Sequence, residues 1–221
     1  GTAIRGGVPL IFPQFAAEGP LPKHGFARTA QWTLLGTERH ADGGASAQLQ
    51  LRSDPQTLAI WPHPFSAIFS VRIGGTRLQM RLAIENTGDA PCGFTAALHT
   101  YLRIDALSGA RVHGLQHLRY RDTANGGTEH TETTSVLAIE RELDRIYFDT
   151  PATLQLTDGD RRIELNQHGF RDTVVWNPGA ERAAALSDLE PGGWQRMLCI
   201  EAAAVGRPIE LAPGERWQGG Q

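Results

Sequence analysis

Alternation of apolar and polar residues with a period of two runs along nearly the whole chain, and a helical period is almost absent. The alternation predicts eight β-strands: Ser46–Leu51, Ser66–Ile73, Arg77–Glu85, Phe94–Ile104, Ala152–Thr157, Arg162–Asn166, Thr173–Trp176 and Met197–Ala204. Turn signals such as Asn125-Gly126-Gly127 and Asn177-Pro178-Gly179 separate them. Because these signals recur roughly every 8–12 residues, the sequence predicts an all-β, antiparallel sandwich or barrel rather than a parallel βαβ fold.

Composition and length agree with this fold class and exclude several others. The 25 Gly and 13 Pro are about 17 % of the 221 residues, above the usual share of about 12 %, as many tight turns require. We expect residues 1–221 to form one domain, since all-β domains often reach this size undivided. The chain begins without Met, so we also expect the first strands of the complete protein to be missing.

Charge and hydropathy argue against nucleic-acid and membrane partners. The formal net charge of −3 offers no basic footprint for nucleic acid or an anionic membrane. No apolar run approaches the ~20 residues that a transmembrane helix needs. Two cysteines, Cys92 and Cys199, are too few for a disulfide scaffold, so we expect a reduced, cytoplasmic chain. The oligomeric state is open, with a monomer favoured.

Two predicted strands carry residues suited to acid–base chemistry. In the strand 94–104, the apolar side chains share one face, and His99 and Tyr101 lie on the other, which is either the solvent face of the sheet or part of a site. In the strand 197–204, Glu201 is the one charged residue, and both faces around it are apolar. Such a carboxylate is either desolvated beside a partner or in a cavity, or it reaches water at a sheet edge. Burial would raise its pKa, which makes a better general base near neutral pH.

The remaining clusters are less specific. Trp176 ends a buried strand, where an indole either stacks on a sugar face or closes the core. The eight histidines are scattered with few carboxylates nearby, so no metal site is expected. Phosphate-binding loops, dinucleotide motifs and nucleophile elbows are absent from the sequence, so no cofactor is expected either.

Taken in order along the chain, seven segments resemble one known family. They are IRGGVPLIFPQF, LPKHGFARTAQW, WPHPF, ALHTYL, LDRIY, VVWNP and MLCIE, between Ile4 and about Ala204. They resemble the hexose-6-phosphate mutarotases, which are the glucose-6-phosphate 1-epimerases of the aldose 1-epimerase group. The resemblance implies an antiparallel β-supersandwich of the galactose mutarotase-like type with a concave sugar site. One departure is Ala16, because relatives usually carry Gly after this Phe.

The resemblance also implies roles for individual residues. His99 would be the general acid at the ring oxygen, and Glu201 the general base at the anomeric hydroxyl. The substrate-binding positions would be Arg5, Lys23, Arg28 and Asp144. Of these, arginine suits the phosphate of a sugar phosphate because its planar fork binds oxyanions through two hydrogen bonds.

The sequence therefore predicts an isomerase that interconverts the α and β anomers of a hexose 6-phosphate, glucose-6-phosphate above others. The reaction would need no cofactor and no metal, and its partner would be a small-molecule sugar phosphate. The first alternative is a non-catalytic carbohydrate-binding sandwich domain, which would have no need for a Glu buried opposite a His. The second is a cupin-type metal isomerase, which would require clustered His ligands that the sequence lacks.

Overall fold

The computed structural model describes residues 5–221, in which the chain forms two compact units. The first contains residues 10–97 and 207–221, and the second contains residues 5–9 and 98–206. The predicted start of the family segments, Ile4, lies outside the described residues. None of the helices within residues 5–221 is long and apolar enough to cross a bilayer.

Almost all regular structure is β-strand, as the alternation predicts. In chain order the elements are β1 Leu10–Ile11, β2 Thr33–Arg39, β3 Ala45–Arg52, α1 Pro55–Ile60, β4 Phe65–Gly74, β5 Arg77–Asn86, β6 Cys92–Leu98, β7 Tyr101–Arg103, β8 Ala110–His113, β9 Arg119–Asp122, β10 Thr128–Thr131, β11 Val136–Ala138, β12 Leu143–Tyr147, β13 Thr153–Asp158, β14 Arg161–Asn166, β15 Asp172–Asn177, α2 Gly179–Ala184, β16 Met197–Leu211 and β17 Arg216–Gly220. Three short 3₁₀ helices complete the list for residues 5–221, at Leu107–Gly109, Thr123–Asn125 and Gly193–Arg196.

The first unit is built on an antiparallel sheet in the order β17-β5-β4-β3-β2, and β1 pairs with β6. Its core includes a cluster of aromatic rings around Phe12, whose centroid lies 5.1–6.0 Å from those of Phe26, Trp61, Phe65 and Phe94. Edge-on contacts of this kind add about 0.5–1.5 kcal/mol per pair to the area buried. The WPHPF segment is therefore part of a packed core.

The loop after β1 contains Ala16, the position at which the relatives usually carry Gly. Ala16 has a φ of +48°, in the left-handed region that glycine adopts without a steric penalty. Gly25, at a φ of +64°, is required by its surroundings, since a Cβ there would overlap the backbone of Phe12. A glycine after Phe15 would adopt this conformation without strain, and this chain adopts it with alanine.

The second unit contains two antiparallel sheets that share one hydrophobic core. The first has the order β7-β16-β15-β12-β9-β10, with residues 197–206 of β16, and the second has the order β11-β8-β13-β14. The shared core includes Val175, Leu198 and Ile200 from the first sheet, and Val112 and Leu156 from the second. Since side chains alternate along a strand, the neighbours of these residues, which include Glu201, lie on the opposite face of the first sheet.

The strand predicted from residue 94 to 104 is interrupted at its centre. The backbone N–H groups of His99 and Tyr101 donate to the carbonyl oxygens of Pro9 and Gly7, each at 3.0 Å. These contacts to the segment before β1 take the donors away from a continuous ladder, so β6 ends before His99 and β7 begins after it. The periodicity of the sequence cannot predict hydrogen bonds between residues so far apart in the chain.

Candidate active site

His99 and Glu201 lie side by side on the first sheet of the second unit. The register pairs Cys199 with Tyr101, and Ile200 N–H donates to Thr100 O at 3.3 Å, so His99 is the next residue opposite Glu201. His99 Nδ1 lies 3.3 Å from Glu201 Oε1. The Glu201 side chain is 1 % exposed and that of His99 is 13 % exposed. Of the two environments that the sequence left open for Glu201, the structure has the desolvated one.

The same face carries a row of polar and aromatic side chains beside this pair. The register places Tyr101 opposite Cys199, Cys199 opposite Trp176, and Trp176 opposite Asp144. Side chains directly opposite one another in antiparallel strands point to the same face, about 4.5–5.5 Å apart at Cβ. The Tyr101 ring stacks on His99 with centroids 4.9 Å apart, and Trp176 meets both rings edge-on.

Trp176 is held in place by the residue that follows it. The buried Asn177 amide donates to the carbonyl oxygens of Trp194 and Met197, each at 2.8 Å, and its oxygen accepts from Gly179 N–H at 2.9 Å. Three backbone groups, at residues 179, 194 and 197, are thereby fixed at the end of β15. The WNP motif is therefore a structural element that positions the partly exposed indole.

Arg5 reaches the row of aromatic residues from the segment before β1. Its Nε donates to Asp188 Oδ1 at 3.0 Å, and one of its terminal nitrogens donates to Tyr101 Oη at 3.3 Å. Its guanidinium carbon also lies 6.0 Å from the centre of the Trp176 ring. These contacts hold Arg5 beside the His99–Glu201 pair, with 21 % of its side chain exposed.

The electrostatics of this face favour protonated acids. Burial raises the pKa of Glu201 well above its usual range, and the nearby charge of Asp144 raises it further. Burial also raises the pKa of the Cys199 thiol, with a second contribution from Glu201. The Tyr101 phenol has a raised pKa as well, again because it is buried. Glu201 is therefore a carboxyl that holds its proton to higher pH than an exposed glutamate does.

The structure brings Arg5, His99, Asp144 and Glu201 to one sheet face of the second unit. Lys23 and Arg28 belong to the first unit, on either side of Gly25, where an Arg28 terminal nitrogen donates to Lys23 O at 3.1 Å. Lys23 is exposed and Arg28 is partly exposed. Their part in the site stays a prediction.

Two residues that contact Arg5 have structural roles that the sequence did not reveal. Tyr101 appeared there only as a neighbour of His99, whereas it both stacks on the imidazole and accepts from Arg5. Asp188 has no sequence signal at all, because its partner Arg5 is 183 residues away. His99, Cys199 and Glu201 also lie close enough together to act as ligands of one metal ion.

The dependence of activity on Asp144 gives a first test of this electrostatic arrangement. For Asp144→Asn, we expect the acidic limb of the kcat/KM profile to move to lower pH, measured on the anomer exchange that the family resemblance implies. The substitution removes the charge that adds to the raised pKa of Glu201, whereas burial, the larger cause, remains. Asp188→Asn is the matched control, since Asp188 does not contribute to the raised pKa of Glu201. An unmoved limb in Asp144→Asn would contradict the arrangement.

Comparisons with known proteins identify the family of the chain and agree with its fold. The chain matches the family described as aldose 1-epimerase over residues 1–221. A protein of Cenchrus ciliaris named "Putative glucose-6-phosphate 1-epimerase" is 35 % identical, and the match covers 98 % of this chain and 69 % of that protein. A protein of the same name from Escherichia coli strain K12 is 32 % identical, over 92 % and 68 % of the two chains.

Solved structures give the same result at the level of the fold. A structure described as a "putative mutarotase" of Salmonella typhimurium superposes with a TM-score of 0.88 at 27 % identity, over 100 % of this chain and 74 % of that one. A galactose mutarotase-like protein of Clostridium acetobutylicum gives 0.75 at 15 % identity, over 97 % and 77 %, which shows the fold alone. The predicted antiparallel, galactose mutarotase-like fold is thereby confirmed. The chain belongs to the aldose 1-epimerase family.

Proposed function

We propose that this protein interconverts the α and β anomers of a hexose 6-phosphate, with glucose-6-phosphate as the preferred substrate. The observation that carries the proposal is the desolvated Glu201 carboxyl 3.3 Å from the His99 imidazole. The names of the relatives from Cenchrus ciliaris and Escherichia coli support the same substrate. We place the reaction in the cytoplasm, since Cys92 and Cys199 are both free thiols, as is usual in a reducing compartment.

Mutarotation requires two proton transfers, one at each of the two oxygen atoms bonded to the anomeric carbon. A base removes the proton of the anomeric hydroxyl while an acid protonates the ring oxygen, and the ring opens to an aldehyde. Rotation about the bond between the first two carbons then presents the other face of the carbonyl group, and the reverse transfers close the ring. Both oxygens are bonded to the anomeric carbon, so the two catalytic groups must lie close together, as Glu201 and His99 do.

Glu201 is suited to the role of general base, and His99 to the role of general acid. A general base is most effective when its pKa lies near the working pH, and burial moves the Glu201 pKa upward from its ordinary acidic range. Stacking on Tyr101 fixes the plane of the His99 ring, so its nitrogens keep a constant direction. Each positioned proton transfer contributes about 10²–10⁴-fold to the rate.

Arginine residues supply the positive charge for the phosphate in this proposal. Arg5 is already oriented by Asp188 and Tyr101, which reduces the conformational entropy lost when it binds an anion. Arg28 and Lys23 are the further candidates from the family resemblance. A chain with a net charge of −3 needs only such a local group of cations.

The alternative of a non-catalytic sugar-binding domain is not favoured. A binding face gains little from a carboxyl that is 1 % exposed, and keeping such a group ionised is costly when it is buried. A catalytic role accounts for the same buried carboxyl, because a general base must take up and release a proton during each turnover.

Anomer exchange measured by NMR tests the proposed function. The purified protein is added to equilibrated glucose-6-phosphate, glucose and galactose, and magnetisation transfer between the two anomeric proton signals is recorded. We expect the protein to accelerate exchange of glucose-6-phosphate well above that of either free sugar. Acceleration equal to that of a heat-denatured sample would contradict the proposal, and a preference for a free sugar would overturn the phosphate assignment.

A further inference from the structure

Three potential metal ligands meet at the centre of the candidate active site. One atom each of His99, Cys199 and Glu201, namely an imidazole nitrogen, Sγ and a carboxylate oxygen, lie within 4.8 Å of one another. Cys199 and Glu201 are two residues apart in β16, so both side chains project from the same face of the sheet. His99 completes the triangle from the opposite chain segment.

The spacing of these atoms fits a tetrahedral zinc ion. With Zn–N of about 2.0–2.1 Å and Zn–O of about 2.0–2.2 Å, two tetrahedral ligands stand about 3.3 Å apart. His99 Nδ1 and Glu201 Oε1 are 3.3 Å apart already. The longer Zn–S bond of about 2.3 Å gives edges of about 3.5 Å to sulfur, so a side-chain shift of about 1 Å brings Cys199 Sγ into place.

The donor set and its charge also suit a thiophilic divalent cation. Thiolate and imidazole together favour Zn²⁺ over Mg²⁺ or Ca²⁺, which prefer oxygen ligands. Within the described chain, Glu201 Oε2 is buried and has no hydrogen-bond partner, so the carboxylate keeps acceptor capacity for an ion. The charge of Asp144 acts on both Cys199 and Glu201, and it favours a cation between them.

We propose that His99, Cys199 and Glu201 bind Zn²⁺ and that the bound ion reversibly inhibits the enzyme. The ion would occupy the lone pairs by which Glu201 accepts a proton and His99 exchanges one. The Cys199 thiol proton passes to solvent when the thiolate coordinates. The fourth position of the ion is left for water, as in other sites with three protein ligands. Binding itself is independent of the proposed function, whereas the inhibition rests on it.

Cobalt substitution tests the site without any measurement of activity. Tetrahedral Co²⁺ bound to a thiolate has a sulfur-to-metal charge-transfer band in the near ultraviolet, and we expect this band when Co²⁺ is added to the protein. The band should vanish in Cys199→Ser and in Cys199→Ala, and added Zn²⁺ should remove it from the parent. Cys92→Ser is the matched control, because Cys92 is the other buried free thiol and should leave the band unchanged.

Zinc titration of anomer exchange tests the inhibition. Zn²⁺ should inhibit the parent and Cys92→Ser equally, and a chelator should restore the rate. Loss of an outer partner of a metal ligand typically costs 10–100-fold in metal affinity, so loss of the Cys199 ligand should weaken inhibition by at least about tenfold. Each variant is compared with its own metal-free rate, and circular dichroism reports its fold.

The outcomes separate this proposal from the proposed function. A parent without the cobalt band, or a Cys199 variant inhibited by Zn²⁺ as strongly as the parent, overturns the metal site even if anomer exchange is fast. If the band is present and anomer exchange is absent, the metal site stands and the proposed function fails.

Discussion

Replacing Glu201 with glutamine should reduce anomer exchange of glucose-6-phosphate by about 10²–10⁴-fold, the contribution expected of one positioned general base. Glutamine has nearly the same shape and remains beside His99, but it cannot accept the proton of the anomeric hydroxyl. The measurement is the exchange rate by NMR at saturating substrate. A loss of less than about tenfold would contradict the role of Glu201 as the base.

The stability of the same variant separates loss of chemistry from loss of fold. A carboxyl whose pKa is raised in the folded state stabilises the fold fully below its unfolded pKa, and this contribution is lost as pH rises through the folded pKa. The pKa of Glu201 is raised by burial and by Asp144, so its ionisation destabilises the folded parent at higher pH. Glutamine stays neutral, so the thermal stability of Glu201→Gln relative to the parent should increase as pH rises above the ordinary pKa range of a glutamate.

Glu132 is a matched control, because it is a second buried glutamate of the same unit with the opposite behaviour. Its carboxylate accepts from Thr134, Arg145 and Tyr147. Although burial acts to raise its pKa, these hydrogen bonds outweigh burial and lower it. The stabilisation it provides is therefore present above its unfolded pKa and is lost as pH falls. Glu132→Gln should lower the thermal stability at neutral pH, which Glu201→Gln should not do.

Truncating Arg28 to alanine should impair catalysis on the phosphorylated sugar selectively. A phosphate that loses a hydrogen bond from a charged group loses about 1.5–3 kcal/mol of binding free energy. This free energy corresponds to an increase of about 10–150-fold in KM for glucose-6-phosphate. The turnover of free glucose should change much less, because glucose has no phosphate to bind. Steady-state kinetics on both sugars give the comparison.

Two further variants show whether Arg28 acts on the phosphate or on its own loop. Arg28→Lys keeps the positive charge but removes the planar fork, so its KM should lie between those of the parent and Arg28→Ala. Arg77→Ala removes an exposed arginine at a β-turn of the same unit and should leave both KM values unchanged. If Arg28→Ala reduces activity equally on both sugars, Arg28 supports the loop through its bond to Lys23 O, and the phosphate has another partner.

Local patterns in the sequence predicted much of the fold and the two central residues of the site, His99 and Glu201. The strand from Met197 shows apolar residues on both faces with one carboxylate, and this pattern left two environments open for Glu201, of which the structure has the desolvated one. The alternation after Phe94 placed His99 on the face opposite the core. Both inferences are local, because side-chain direction follows from the period of a strand.

Features that depend on distant contacts could not be predicted in this way. The interruption at His99 arises from a backbone partner, Pro9, 90 residues earlier in the chain. The orientation of Arg5 depends on Asp188, and neither residue lies in a strand. Edge strand β2, Thr33–Arg39, has no buried residue, so no hydrophobic pattern marked it in advance. Each of these features depends on tertiary packing, whereas the periodicity of the sequence indicates only local side-chain direction.

The central claim, that Glu201 and His99 act together as one proton-transfer unit, is tested most directly by the anomer exchange rate of the double variant His99→Asn/Glu201→Gln. Residues that act as a unit show strongly non-additive effects, since the loss of either partner already removes the assisted pathway. We predict that the double variant is about as slow as the slower single variant. Losses that multiply, so that the two free-energy changes add, would mean that the two residues act independently and would contradict the claim.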